Sequence, residues 1–298
     1  MYTFIAEEQA EKCVWSVTEM CKVLQVSKSG FYDWRNRGPS QRDISDRQLA
    51  FEIETIWEAS GQTYGVPRMC WWLHGQGFNP SAKRVARIMR TLDIQGVSGR
   101  TGVKTTIVDR AATCPSDKVK RQFNPAHPDE VWVGDITYLR TGEGWLFLAT
   151  VIDLFSRKVV GWSIADHMRT ELVSDALTMA VGARGGPNRV AGVLFHTDHG
   201  AQYTSQEFGL ICERNGVVQS MGATGVCWDN AVAEAFFATL KKELYYRHAW
   251  PTRPDARRAV IRWIEGWYNP HRLHSTNGYQ SPNQKENRYY NHPGQQAA

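Results

Sequence analysis

A chain of 298 residues, 42% hydrophobic and 22% charged, has room for two folded units and a small third piece. It holds no apolar run long enough to span a bilayer, so no membrane partner is expected. Its six cysteines are scattered without a C-x-x-C pair, which argues against a disulfide frame or a zinc site. The net charge of +5 is unevenly placed: residues 1–127 carry 18 Lys+Arg against 13 Asp+Glu, and residues 128–298 carry 17 against 17. Within the first half, Lys83 to Arg121 holds 10 basic and 3 acidic residues. Such a surface attracts polyanions and releases them in salt.

The first residues, "MYTFIAEEQAEKCVWS", have neither a basic leader nor an apolar core segment, so no signal peptide and a cytoplasmic setting are expected. "SVTEMCKVLQVSKSGFYDWRNRG" reads as two short helices around a tight turn at Gln25-Val26. Val17, Met20, Val23 and Leu24 form the apolar stripe of the first, and Ser27 caps a second that turns Phe31 and Trp34 inward. Lys28, Ser29 and Tyr32 then point outward from its first turns, where a recognition helix meets a groove. "YGVPRMCWWLHGQGFNPSAKRVARIMRTLDIQG" repeats the pattern. Pro67 stands near a helix start, Gly75-Gln76-Gly77 breaks the helix, and Ser81 caps another with Val85, Ile88 and Met89 inside. Lys83, Arg84, Arg87 and Arg90 fall on its other faces and are the candidate phosphate contacts. The expected units are 1–50 and 51–96, both like helix-turn-helix modules, followed by a basic linker over 97–127.

After Pro128 the composition changes. "EVWVGDITYLR", "GWLFLATVIDLFSRKVVGWSI" and "VAGVLFHTD" are rich in β-branched and aromatic residues at strand lengths, with a hairpin turn at Gly142 to Gly144. "TELVSDALTMAVGA" and "SQEFGLICERNG" read as helices, "VVQSM" as a short strand, and "WDNAVAEAFFATLKKELYYRH" as a long helix. Three antiparallel strands, then helix, strand, helix, strand and helix, predict a mixed α/β sheet flanked by helices over 128–290. Residues 291–298 read as a frayed tail. Trp71, Trp72, Trp132, Trp145 and Trp162 lie in helix or strand patterns and are expected in cores, whereas Trp228 stands beside the long helix and is a candidate DNA contact.

Three acids sit where this order can bring them together. Asp135 lies in the first strand and Asp198 at the exit of the fourth, where "VLFHTDHGAQYTS" leaves the core at a glycine turn. Glu234 lies near the start of the long helix, off its expected apolar stripe of Val232, Ala235, Phe236 and Leu240. Lys241, seven residues on, returns to nearly the same angle. Three converging carboxylates repel one another unless divalent cations neutralise them. Hard oxygen donors select Mg²⁺ or Mn²⁺, and two such ions about 3.5–4 Å apart can serve an in-line phosphoryl displacement.

"WVGDITY", "FHTDHGAQYTS", "CWDNAVAEAFFATLKKE" and "WYNPHRLHSTNGYQSP" resemble successive blocks of bacterial insertion-sequence transposases with a retroviral-integrase-type core. More narrowly, they resemble the second-frame product of the insertion sequence three family. The likeness runs over nearly the whole chain. It implies an RNase H-like core preceded by an all-α helix-turn-helix region, with Asp135, Asp198 and Glu234 as the catalytic and metal-binding triad. It further implies that Lys241 touches the transposon end. Tyr268, Asn269, Arg272 and His274 belong to the family's C-terminal block, and Arg272 is placed among the DNA contacts. Expected partners are DNA and a second copy of the chain on it, together with an upstream-frame product, as partner or fusion, in a bacterial cytoplasm. The family often has Tyr-Gly-Tyr-Arg-Arg where this chain reads "YGVPRM", and a Tyr in place of Trp228. No heptad pattern occupies residues 1–30. The expected activity is metal-dependent cleavage at transposon ends, then attack of the freed 3′-hydroxyl on another phosphodiester. A DNA-binding regulator with an idle core, or a general nuclease, is the alternative.

Overall fold

The computed structural model describes residues 1–11, 14–97, 125–221 and 231–291. Six helices make the first half: α1 (Tyr2–Ala10), α2 (Val17–Val23), α3 (Lys28–Asn36), α4 (Gln41–Ala59), α5 (Val66–Gly75) and α6 (Ala82–Thr91). Serines start four of them. Ser16 and Glu19 form a reciprocal capping box on α2, Ser27 accepts from Gly30 N–H on α3, Ser40 and Asp43 box α4, and Ser81 accepts from Arg84 N–H on α6. Each satisfies amides that the first turn leaves without partners. Helices α1–α3 close over a small core of Ile5, Val17, Met20, Cys21 and Phe31. Helices α4–α6 close over a larger one that includes Ile53, Tyr64, Met69, Leu73 and Val85.

The catalytic-type half is a five-stranded sheet in the order β3-β2-β1-β4-β5. Strands β1 (Val131–Thr141), β2 (Gly144–Asp153) and β3 (Val159–Ala165) form an antiparallel meander. Helix α7 (Thr170–Ala183) and the single turn α8 (Pro187–Val190) cross to β4 (Leu194–Thr197), which runs parallel to β1. Helix α9 (Gln206–Arg214) crosses again to β5 (Val218–Met221), parallel to β4. Helix α10 (Ala231–Glu243) then packs on β1. This is the RNase H-like arrangement, with a core on each face of the sheet. One core gathers Trp132, Phe195 and Phe208 with α7 and α9. The other gathers Val133 and Leu139 with Phe236, Phe237 and Leu240 of α10, as the two-residue alternation of a strand requires.

Helix α11 (Arg253–Trp263), a π-helical turn (Ile264–Tyr268) and α12 (Pro282–Asn291) complete the chain. They strap the core from outside. The Asn269 side chain accepts from Val159 N–H and donates to Val159 O, both at 3.0 Å, and so completes the free edge of β3. Glu286 of α12 is buried beside Arg184, Lys158 (3.0 Å) and Ser156 (3.0 Å).

The structure corrects several expectations. The boundary expected at 50/51 falls inside α4. Val23 is 78% exposed and Trp34 is 40% exposed, the Trp34 ring meeting, among the described aromatic rings, only Tyr2 and Phe31 along one side (centroids 6.0 and 6.1 Å). Trp71 and Trp145 are also about half exposed; Trp71 stacks on Tyr279 with centroids 5.0 Å apart. The long helix stops at Glu243 and gives way to a 3-10 turn, Tyr245–Arg247. Its buried stripe is Ala233, Phe236, Phe237, Leu240 and Glu243 rather than Val232, Ala235, Phe236 and Leu240. The frayed tail beyond residue 291 and residues 98–124 of the linker lie outside the described residues.

Candidate active site

The pairing of β1 with β4 sets the two aspartates side by side. The parallel register matches Val131 with Leu194, Trp132 with Phe195 and Val133 with His196. The offset is constant, so two residues further on Asp135 stands level with Asp198, just where β4 ends at Thr197. Level positions on neighbouring parallel strands lie about 5 Å apart and point to the same face. Asp135 shares its face with Val133, the face that α10 covers. Both carboxylates are fixed by backbone amides: Asp135 Oδ1 accepts from Ile136 N–H at 2.7 Å, and Asp198 Oδ1 from Gly200 N–H at 3.0 Å. The buried Tyr203 hydroxyl lies in the field of both carboxylates. Burial pushes it well above its ordinary pKa of 10.0, and the charges of both Asp135 and Asp198 push it further. Gly134 admits the Phe195 ring against β1; a Cβ there would sit inside that ring.

Glu234 occupies the first turn of α10 and is exposed, as its position off the apolar stripe predicts. Lys241 is half-buried farther along the same helix. Its ammonium lies 5.3 Å from the centroid of the Tyr138 ring. Burial lowers its pKa, and attraction to Asp135 opposes that shift. The face that carries Glu234 thus looks toward the aspartates at its Lys241 end. Among the described residues, no three His, Cys, Asp or Glu side chains form a metal-holding group. The structure brings Asp135 and Asp198 together and leaves Glu234 outside that pair. Residues 222–230, which lead into α10 and include Trp228, lie outside the described residues. His196 is buried, with Nδ1 3.0 Å from Ser220 Oγ, and His199 is exposed.

The basic candidates in the helical half divide in two. Lys28, Lys83 and Arg90 are exposed. Arg84 and Arg87 both pair with Asp46 of α4, at 2.7 and 2.6 Å, so part of their charge binds α6 to α4. Arg272 is a correction. It is 4% exposed, and its guanidinium makes a bidentate bond to Glu243 (2.8 and 2.6 Å). A fork committed to a buried carboxylate does not reach DNA.

That pair is the centre of a network unforeseen from sequence. Arg68 Nη1 of α5 lies 3.6 Å from Glu243, and Arg68 Nε donates to Leu273 O at 3.1 Å. The Tyr64 hydroxyl accepts from Leu273 N–H at 2.8 Å, and Arg247 donates to Gly61 O. The helical half, α10 and the C-terminal block therefore meet at one buried cluster. The available signal was Glu243 itself, an acid in step with the apolar stripe of α10.

The chain is similar to known proteins along nearly its whole length. Residues 125–227 match one family model described as an integrase core domain, residues 215–282 match a second, and residues 44–101 match an HTH-like domain. The chain is 38% identical over 292 residues to the transposase InsF for insertion sequence IS3A of Escherichia coli (strain K12), covering 96% of this chain and 98% of the relative. It is 34% identical over 271 residues to an uncharacterized 31 kDa protein of insertion element IS600 from Shigella sonnei, covering 91% and 98%. The HTLV-2 integrase catalytic core domain in complex with magnesium aligns over 53% of this chain and 97% of its own, at 20% identity and a TM-score of 0.40.

Proposed function

The chain belongs to the insertion sequence three family of transposases, and we propose that Asp135, Asp198 and Glu234 are the carboxylates with which it cuts and joins DNA. Family membership makes it a DNA transposase of the integrase-core, polynucleotidyl-transferase class. The observation that carries the residue assignment is the parallel β1–β4 register, which, carried two residues past its last pair, sets Asp135 within β1 level with Asp198 just beyond the end of β4. Two hard oxygen donors so close repel each other, and a divalent cation relieves that repulsion. Glu234, outside the pair in this structure, would complete the set by a shift of the first turn of α10 toward the cation; Lys241 of the same helix already lies in the field of Asp135.

Mg²⁺ or Mn²⁺ held by these oxygens, as a pair of ions, would neutralise charge on the scissile phosphate and acidify the attacking water or 3′-hydroxyl. The protein's own share is orientation. Ile136 and Gly200 amides fix the rotamers of the two aspartates, the β1–β4 pairing fixes their separation, and Lys241 supplies a cation for the phosphate beside the reacting one. The α5–α6 pair matches a helix-turn-helix-like model, and its exposed Lys83 and Arg90, with Arg87, suit phosphates flanking a groove. We further propose that two copies act together on the two transposon ends, with or without an upstream-frame partner, in the bacterial cytoplasm. No described helix is long and apolar enough to cross a membrane.

The test is incubation of the chain with labelled ends of its own element and Mn²⁺ or Mg²⁺, with products resolved on a denaturing gel. Cleaved and joined strands are expected from the parent, and none from Asp198→Asn, whose DNA binding persists. Binding without cleavage by the parent would leave a regulator with an idle core, and equal cutting of unrelated DNA would leave a general nuclease.

A further inference from the structure

Strand β4 pairs with β1 only from Val131 to Val133. Beyond Asp135, β1 and β2 continue as a two-stranded hairpin, and β4 no longer covers that side of β1. The space between this hairpin and the C-terminal end of α10 is a groove of about 690 Å³, bounded beyond by the segment around His248 and Trp250. A groove of this size takes a nucleotide.

Its lining is unusual for a protein surface. Tyr138 is 59% exposed, Trp145 48% and Tyr246 72%. Single exposed aromatics are ordinary, but three around one groove mark a contact surface. Tyr138 and Trp145 hold each other edge to face, with centroids 5.5 Å apart and planes at 85°. Among the described residues, the groove's charged ones are Arg140 and Lys241, and no Asp or Glu lines it. Lys241 joins the groove to the active site, because its ammonium lies over the Tyr138 ring and in the field of Asp135. Asp135 and Tyr138 are three residues apart on one strand, about 10 Å along it and on alternate faces, and Lys241 reaches both. The hairpin is braced in place: Gly142 N–H donates to Trp250 O at 2.9 Å, and Arg253 N–H donates to Glu143 at 2.8 Å.

We propose that this groove is a stacking site for an unpaired nucleotide of the DNA strand that enters the active site. A base inside a duplex has both faces covered by its neighbours and a terminal pair exposes one face only, so an unpaired base alone can enter the groove edge-on and offer its ring to both Tyr138 and Trp145. Its phosphates meet Lys241 and Arg140. The site therefore selects DNA whose end is frayed or single-stranded next to the phosphate undergoing reaction. This inference rests on the transposase reading, and it places the strand opening on the β1–β2 hairpin.

The probe is a DNA duplex with a short unpaired 3′ tail that carries 2-aminopurine, compared with the same duplex blunt. Binding by the full chain is measured without metal, so cleavage plays no part. The parent binds the tailed duplex more tightly and quenches the fluorophore. Tyr138→Ala with Trp145→Ala removes the quench and weakens tailed binding by about 5- to 150-fold, the range for loss of base–aromatic stacking. Blunt binding stays unchanged, and Tyr138→Phe keeps the quench. Both residues are surface-exposed, and an unchanged thermal unfolding curve confirms that the variants fold. Absence of quench in the parent, or equal quench in parent and double variant, overturns the stacking site. Mn²⁺ added afterwards tests the catalytic reading separately: a parent that quenches but never cuts its own element ends keeps the groove and loses the enzyme.

Discussion

Replacing Arg272 by Met removes one side of the buried pair at the junction of the two halves. The methionine fills much of the space of the arginine stem, so the main loss is electrostatic. Glu243 is then left with a side chain only 6% exposed and, among the described residues, with Arg68 at 3.6 Å, itself 27% exposed, as its remaining ion-pair partner. Breaking a buried pair from one side costs about 3–5 kcal/mol, and the proximity of Arg68 places the expected loss at the lower end, about 3 kcal/mol. Adding Glu243→Gln removes the orphaned charge, so the double variant is expected to be more stable than the sum of the two single losses by about 1–3 kcal/mol. Urea unfolding followed by tryptophan fluorescence measures all three. A loss below about 1 kcal/mol for Arg272→Met, the size of an exposed ion pair, would refute the assignment of this arginine as a buried strut.

His274 offers a pH test. Burial, and then the charges of Arg272, Arg68 and Arg157, hold its imidazole well below the ordinary 6.5. The unfolded chain takes up this proton below about pH 6.5 while the folded ring stays neutral, so stability falls as pH falls, by about 1 kcal/mol from about pH 7 to about pH 5.5. His274→Gln is expected to flatten that slope in urea titrations, and an identical slope would contradict the buried neutral ring. Asp153, raised to about 6 by burial, acts in the opposite sense, losing stability as pH rises from about 4 to about 6, but it contributes equally to both proteins. Gly134→Ala forces a methyl into the Phe195 ring, so a loss of about 1–3 kcal/mol is expected from overpacking, together with slowed end cleavage as Asp135 shifts; wild-type melting would show that the strand has slack. Lys83→Ala with Arg90→Ala is expected to weaken duplex binding whatever its sequence and to reduce the slope of log affinity against log salt by about 2. An unchanged slope would remove both residues from the interface.

Local rules carried the reading where the physics is local. Ser27 and Ser81 were legible as caps because a hydroxyl before an apolar period has one main use, and both accept the expected amide. The hairpin at Gly142–Gly144 and the order of strands and helices followed from turn chemistry and strand-length apolar runs. Asp135 and Asp198 were legible as neighbours because one lies in the first strand and the other at the exit of the fourth, and a mixed sheet can set those two strands side by side. The misses come from partners distant along the chain. Arg272 looked like a surface cation, yet its carboxylate is 29 residues away and the Tyr64 hydroxyl beside it bonds a backbone amide 209 residues away. Trp34 and Trp145 fit a periodic pattern, yet they are 40% and 48% exposed, because periodicity does not say which stripe another element covers. The stripe of α10 was set a residue off because Phe236 and Phe237 both bury, which widens the apolar face.

Strand transfer by this chain requires a single cation site that joins the first strand, the end of the fourth strand and α10. Crystals of the chain bound to an element end and soaked in Mn²⁺ locate the metal directly by its anomalous scattering. Density between the carboxylates of Asp135 and Asp198, with Glu234 drawn in as a further ligand, is the predicted result. Manganese bound away from the two aspartates, or held there while Glu234 stays out in solvent, would contradict it.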